Sequence, residues 1–317
     1  MRASRAAAWG VVVAACAIAA LVPACERSEG PTVRPPAAVQ VDLPVRYRLA
    51  ATLQSGVEGL TSVAVDAGGG VYVGGADGVR VLDGSGNELR RFGAGKAVQC
   101  LAIAPNGNVY VGLATQVEQY DPEGRLVTSW GEAGTGPGQL AAVTEIALAG
   151  PDVFVADAGN RVIHRFDATG DFVLDIGRRD PEAGVPGLLC PSAHLDCIVD
   201  SEGALYVGNP GRLRVERYDG NGVLMSWWGE PGMGPDQFCG CCNPTDMALT
   251  PEGNIVTAEK GIPRVKVLDT SGKLLAYIGR DNFSLHAVGM DVAVDAAGRI
   301  YVADPGDGNV RVFERIP

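Results

Sequence analysis

Between residue 45 and the C-terminus, apolar residues come in short bursts separated by polar, glycine-containing turns, and the bursts repeat. Six align without gaps: Ser62-Val63-Ala64-Val65, Cys100-Leu101-Ala102-Ile103, Glu145-Ile146-Ala147-Leu148, Asp196-Cys197-Ile198-Val199, Asp246-Met247-Ala248-Leu249 and Asp291-Val292-Ala293-Val294. Each leads through a turn to a second burst: Val71-Tyr72-Val73, Val109-Tyr110-Val111, Val153-Phe154-Val155, Leu205-Tyr206-Val207, Ile255-Val256-Thr257 and Ile300-Tyr301-Val302. A third ends at Leu82, Tyr120, Phe166, Tyr218, Leu268 and Phe313. Turns led by Asp83, Asp121, Asp167, Asp219 and Asp269 open onto a fourth, which closes on Phe92-Gly93, Trp130-Gly131, Ile176-Gly177, Trp228-Gly229 and Ile278-Gly279. Short runs of β-branched and aromatic residues between turn residues are strand signals. No stretch after residue 25 holds a helical period.

Four strands per unit, recurring every ~40–50 residues, is the pattern of propeller blades. The sixth unit stops at Pro317 after its third strand, whereas residues 47–53 read as a fourth strand without the first three. Pairing that N-terminal strand with the last unit closes the ring and removes its exposed edges. The chain is therefore predicted to be all-β: a six-bladed propeller over 45–317, its sheets covered on both faces by neighbouring blades. A closed ring of this kind is expected to be monomeric.

The first 24 residues follow a different pattern. Arg2 and Arg5 precede an apolar run from Ala6 to Leu21, and Val22-Pro23-Ala24 leads to Cys25. This reads as an export signal, and Val22-Pro23-Ala24-Cys25 resembles a lipobox, whose cysteine is lipidated and becomes the new N-terminus. Simple cleavage and an uncleaved anchor are the alternatives. All three place the domain outside the cytoplasm, in the cell envelope on the periplasmic or extracellular side. Residues 25–44, with Pro31, Pro35, Pro36 and Pro44, read as an extended tether.

Charge narrows the partners. Removing 1–24 takes away two arginines and no acid, leaving Lys+Arg 24 against Asp+Glu 37, a formal charge of −13. Such a surface repels phosphate backbones, which excludes nucleic acid as a partner and favours cations and basic molecules.

Two segments carry a family resemblance: Trp130-Gly131-Glu132-Ala133-Gly134-Thr135-Gly136-Pro137-Gly138-Gln139-Leu140 and Val155-Ala156-Asp157-Ala158-Gly159-Asn160-Arg161-Val162, echoed at Val302-Ala303-Asp304-Pro305-Gly306-Asp307-Gly308-Asn309-Val310-Arg311-Val312-Phe313. With them the chain resembles the NHL-repeat propellers over roughly residues 45–317. Cys239-Gly240-Cys241-Cys242-Asn243-Pro244, together with Lys260 to Val267, resembles a bacterial subgroup of that family. The resemblance implies the propeller fold and a range of roles: scaffold, sensor, RNA binder or metal-dependent lyase. Units 1 and 2 depart from the pattern, lacking the acid after their second strands.

Three sets of side chains are candidates for function. In a propeller the loops entering each blade and those after second strands share one face, and loop faces on rigid scaffolds carry binding residues. That face collects Asp157, Asn209, Glu259, Asp304 and the 239–242 insertion as a ligand or partner surface. The starts of the first strands ring the channel mouth. There Glu145, Asp196, Asp246 and Asp291, with Ser62 and Cys100, would either hold a shared cation such as calcium or cap turns locally, each in its own blade.

The third set is the cysteines. Cys100, Cys190, Cys197, Cys239, Cys241 and Cys242 all fall on the same face. In an oxidising compartment an even count points first to disulfides. Zinc or copper held by Cys239, Cys241 and Cys242 with Cys190 or His194 is the second reading. Redox cycling through the C-x-x-C spacing is the third. His164, His194 and His286 are too few for a histidine-based lyase site, and His164 reads as a packing or solvent-facing residue. No G-x-S-x-G, P-loop or dinucleotide signature appears. Trp227 and Trp228 read as fourth-strand packing. A binding or scaffold module is the leading expectation, with a metal-dependent lyase or hydrolase, or a thiol redox protein, as the alternative.

Overall fold

The computed structural model describes residues 43–182, 185–240 and 242–316. The export segment, Cys25, most of the tether, and Cys241 lie outside the described residues. No helix among the described residues is long and apolar enough to cross a membrane.

Six four-stranded antiparallel sheets form a six-bladed propeller. Five blades are built from consecutive strands, and the sixth takes its outer strand, Arg46–Gln54, from the N-terminus. That strand pairs with Asn309–Ile316 from Arg46 against Ile316 to Gln54 against Asn309. The closure is a true fourth strand rather than a loose clasp. In each of the other blades the pairing of third and fourth strands slips by one residue at the third strand's end, as at Val81/Leu82 and Gln119/Tyr120. The N-terminal strand slips at the same level, between Leu49 and Ala51, although no turn joins it to its partner.

The Asp-led turns form as the sequence predicts. Asp83 Oδ1 accepts the Ser85 and Asn87 amides, and Asp121, Asp167, Asp219 and Asp269 repeat that geometry. The glycines in these turns also let the blades meet. Gly170 has φ +90 and would place a Cβ 2.7 Å from Trp130 of the preceding blade; Gly272, with φ +87, stands in the same relation to Trp228 at 2.8 Å. Each Trp-Gly segment thus lies on a bare turn of the next blade.

Burial is graded from the axis outward. Second strands such as Leu205–Asn209 and Ile255–Glu259 are buried along their whole length. Fourth strands are wet instead of covered on both faces: in Leu224–Trp228 only the last residue is even half-buried. Blades splay apart with radius, so the outermost strand loses its neighbours. Trp227 is exposed there, with the Arg214 guanidinium 4.7 Å over its ring, while Trp228 stacks on Phe238 at 6.2 Å.

Candidate functional site

The ends of the second strands do not present a free polar surface. Asp157, Asn209, Glu259 and Asp304 are all buried, and each ties down the loop entering its own blade. Asp157 accepts the amides of Ala141 and Ala142 at 2.7 and 2.9 Å. Asn209 accepts that of Leu189, and Asp304 those of Ser284 and Gly306. Glu259 accepts the Cys239 amide more loosely, at 3.4 Å. These residues brace the mouth.

The charge on these acids is balanced inside the blades. His164 Nδ1 lies 2.6 Å from Asp175 and its Nε2 3.4 Å from Asp157. The imidazole is buried between two carboxylates, neither loosely packed nor solvent-facing. Burial acts to lower the His164 pKa, but the two acids outweigh it and raise it. Burial likewise opposes Asp157, whose hydrogen bonds from His164 and three amides bring it down to about 2. Glu259 meets both Arg264 and Lys266 at 2.8 Å, and burial brings the Lys266 ammonium down to about 8. Its Nζ also sits 3.9 Å from the Phe238 ring centroid. Asp304 pairs with Arg311. In two of the blades without an acid there, one on the third strand does the same work: Glu118 with Lys96, and Glu216 with Arg214.

The cysteine loop is held by an amide. Asn243 is fully buried; its Oδ1 accepts the Lys260 amide at 2.9 Å, and its Nδ2 donates to the carbonyls of Cys239 and Lys260. Gly240, with φ +75, allows the tight reversal. Among the described cysteines no disulfide forms: Cys100, Cys190, Cys197 and Cys239 are buried thiols. Burial raises Cys190 to about 11 and drives Cys100 and Cys197 well above the ordinary thiol range, which disfavours thiolate at these three.

At the axis lies a cavity of about 240 Å³, the mouth of the central channel. Every blade contributes to it, through Thr61, Gln99, Thr144, His194, Thr245 and Val288 among others. Burial and the Lys260 ammonium lower His194 to about 4, so its imidazole is neutral. Asp246 lines the mouth, and Glu145 and Asp291 lie where it meets a lower chamber of about 180 Å³, lined otherwise by apolar residues such as Val63, Ile103 and Val294.

The ring of acids is both a staple and a cluster. Asp246 Oδ1 accepts the Val292 amide at 2.8 Å, and Asp291 Oδ2 accepts that of Val63, so each carboxylate reaches the first strand of the next blade rather than its own. Glu145 instead takes the adjacent Ile146 amide. Asp196 is buried, and neither of its oxygens has a hydrogen bond of good geometry, although the Cys197 and Met247 amides face it and offset a little of the burial. Ligand oxygens of Glu145, Asp196 and Asp246 all lie within 4.8 Å of one another. Burial first, and then the neighbouring acids, raise all three well above the ordinary carboxylate range. Burial raises Asp291 only to about 6, because it accepts hydrogen bonds from Asp246 and from backbone amides.

No family model matches the sequence. No curated protein matches it either. Solved structures do match. A protein of unknown function from Bacteroides thetaiotaomicron aligns with TM-score 0.62 at 15% identity, over 82% of this chain and 70% of that one. Virginiamycin B lyase from Staphylococcus aureus aligns with TM-score 0.59 at 14% identity, over 85% and 100%. The WD40 propeller domain of Doa1 aligns with TM-score 0.55 at 18% identity, over 80% and 78%. At these identities the likeness is one of fold: a β-propeller.

Proposed function

We propose that this chain is an exported, lipid-anchored propeller of the NHL type that binds a partner through the loop face around its channel mouth, and that the group it recognises is cationic. The observation that carries this reading is the mouth itself: a cavity assembled from all six blades with carboxylates at its base. The exposed Leu285 and Val288, in one loop at its rim, supply apolar contact beside that charge. The mature charge of −13 draws basic partners toward it. The cysteine insertion acts as a frame for the face, since Cys239 and Cys242 are buried and Asn243 ties the loop to Lys260.

A photo-crosslinking side chain at Val288, tested in intact cell envelopes, is expected to trap a discrete adduct. The same side chain at Leu126, exposed on an outer strand, should trap none; equal trapping at both sites, or none at Val288, defeats the reading. The mass of the native protein tests the lipid anchor separately: a lipid-modified Cys25 N-terminus is expected, and a chain that retains its first 24 residues rules that anchor out.

A second reading, a lyase or hydrolase, draws on the neutral His194 imidazole in the same cavity, a group suited to general-base work. Two of the solved structures of like fold are described as streptogramin B and virginiamycin B lyases. Loss of intact streptogramin B on incubation with the protein, followed by mass spectrometry, would put this reading first.

A further inference from the structure

Acids buried elsewhere in the protein come with a cation from the chain itself: Asp157 with His164, Glu259 with Arg264 and Lys266, Asp304 with Arg311. At the channel waist, among the described residues, no such partner is present for Glu145, Asp196 or Asp246. Asp196 is the sharpest case. It is 2% exposed, has no hydrogen bond of good geometry at either oxygen, and contributes an oxygen to the three-carboxylate cluster. A buried carboxylate without a counter-charge is costly, and here Asp196 converges with two more acids.

We infer that Glu145, Asp196 and Asp246 form a divalent-cation site on the propeller axis, selective for calcium. The donor set is oxygen only, which suits a hard cation. Oxygens around one calcium lie ~2.3–2.6 Å from it, so any two of them can be up to ~5 Å apart. The three ligand oxygens lie within 4.8 Å of one another, inside that shell. Magnesium demands near-ideal octahedral geometry, gives up its water reluctantly and is usually held by one or two carboxylates, so three converging carboxylates suit calcium better. Asp291 completes the surroundings from the side: it is hydrogen-bonded to Asp246 and anchored by the Val63 amide. Because the three ligands come from the first strands of blades 3, 4 and 5, a bound ion would tie those blades together at their closest approach. The mouth opens directly onto Glu145 and Asp246, which gives the ion a route in.

The site does not rest on the partner-binding reading, and it is tested on the purified full-length protein with calcium alone. After EDTA treatment, titration calorimetry is expected to give one calcium per chain, with Kd ~10⁻⁴ M or tighter, the range in which extracellular modules begin. Calcium at ~100-fold excess over Kd should raise Tm by ~5 °C. Asp196→Asn keeps the shape and removes the charge; it is expected to fold, to bind no calcium and to show no Tm response. Glu123→Gln, on an exposed outer turn, should retain both. If Asp196→Asn fails to fold, Glu145→Gln serves in its place, at a position only half-buried. Absence of binding at millimolar calcium, wild-type binding in the ring variant, or stoichiometric zinc in preference to calcium would each overturn the inference. Loss of the Val288 crosslink with calcium binding intact would defeat the partner reading and leave this one standing.

Discussion

Buried carboxylates occur in two settings in this propeller, and they are treated oppositely. Within the blades they are balanced: Asp157, Glu216, Glu259 and Asp304 each meet a basic side chain and at least one further hydrogen-bond donor. Around the axis they are gathered without a basic partner among the described residues, and Asp196 has no hydrogen bond of good geometry. Asp157 in its blade is therefore held ionised, whereas Glu145, Asp196 and Asp246 at the waist are pushed toward the neutral form. The difference shows where the fold is self-sufficient and where it has been left open to something from outside. The blades need nothing further; the axis carries a cost that a ligand would relieve.

The largest effect should come from breaking a blade brace. Removing Glu259 strands Arg264 and Lys266, whose side chains are 2% and 0% exposed. Glu259→Ala is expected to cost ~3–5 kcal/mol, the usual penalty for leaving one side of a buried pair uncompensated. Urea unfolding measures it. A loss under ~1 kcal/mol would mean that the brace contributes little and that the contrast between the two settings is one of geometry alone.

At the waist the sign reverses. In EDTA at pH 7.5, Asp196→Asn should stabilise the protein by ~1 kcal/mol or more, since it removes the cost of holding a carboxyl proton that the unfolded chain would release. Destabilisation instead would show that the ionised Asp196 is compensated within the chain.

The pH profile sharpens the same contrast. Raised carboxyl pKa values mean that the folded state binds protons which the unfolded state has lost, so the ring's contribution is fully present below pH ~4 and declines as pH rises. The decline runs through about 6 for Asp291 and further for Glu145, Asp196 and Asp246. With EDTA, stability from urea midpoints should therefore fall between pH 5 and 7.5. Saturating calcium, which holds the carboxylates ionised, should flatten that fall. A profile that calcium leaves unchanged would place the titrating groups elsewhere.

How much of this was legible in the sequence follows from what repeats. Strands, turns, blade count and the N-terminal closure all lie in patterns written six times, and the slip at Leu49/Ala51 shows the closure to be equivalent to the rest. The ring at the mouth was legible because its members occupy one aligned column, Ser62, Cys100, Glu145, Asp196, Asp246 and Asp291. The braces were missed, although they too fill a column. The middle of every third strand is polar or charged: Arg80, Glu118, His164, Glu216, Lys266 and Arg311. Read within one strand, each looks like an outward-facing residue in an alternating pattern. Only against the second strand of its own blade, where Asp157, Glu259 or Asp304 stands, does it become an interior partner. For the same reason those acids read as a ligand face: sequence gives their place at a strand end but not the cation that meets them.

The smallest expected effect isolates one such partner. His164 is buried against Asp157 and Asp175, and its pKa is raised above the ordinary 6.5. A raised histidine stabilises the folded state fully below the unfolded value, and that stabilisation is lost as pH rises through the folded value. His164→Gln keeps a donor but removes the charge. It should cost ~1–2 kcal/mol near pH 5.5, within the range for charge-assisted hydrogen bonds, and progressively less above pH 6.5. This slope has the same sign as that of the metal-free ring, so the two are separated by calcium: the ion should remove the ring's pH dependence and leave that of His164 in place. A His164→Gln penalty that stays constant from pH 5.5 to 8.5 would show a neutral imidazole between the two acids, and the blade brace would then depend on hydrogen bonding rather than on an internal cation.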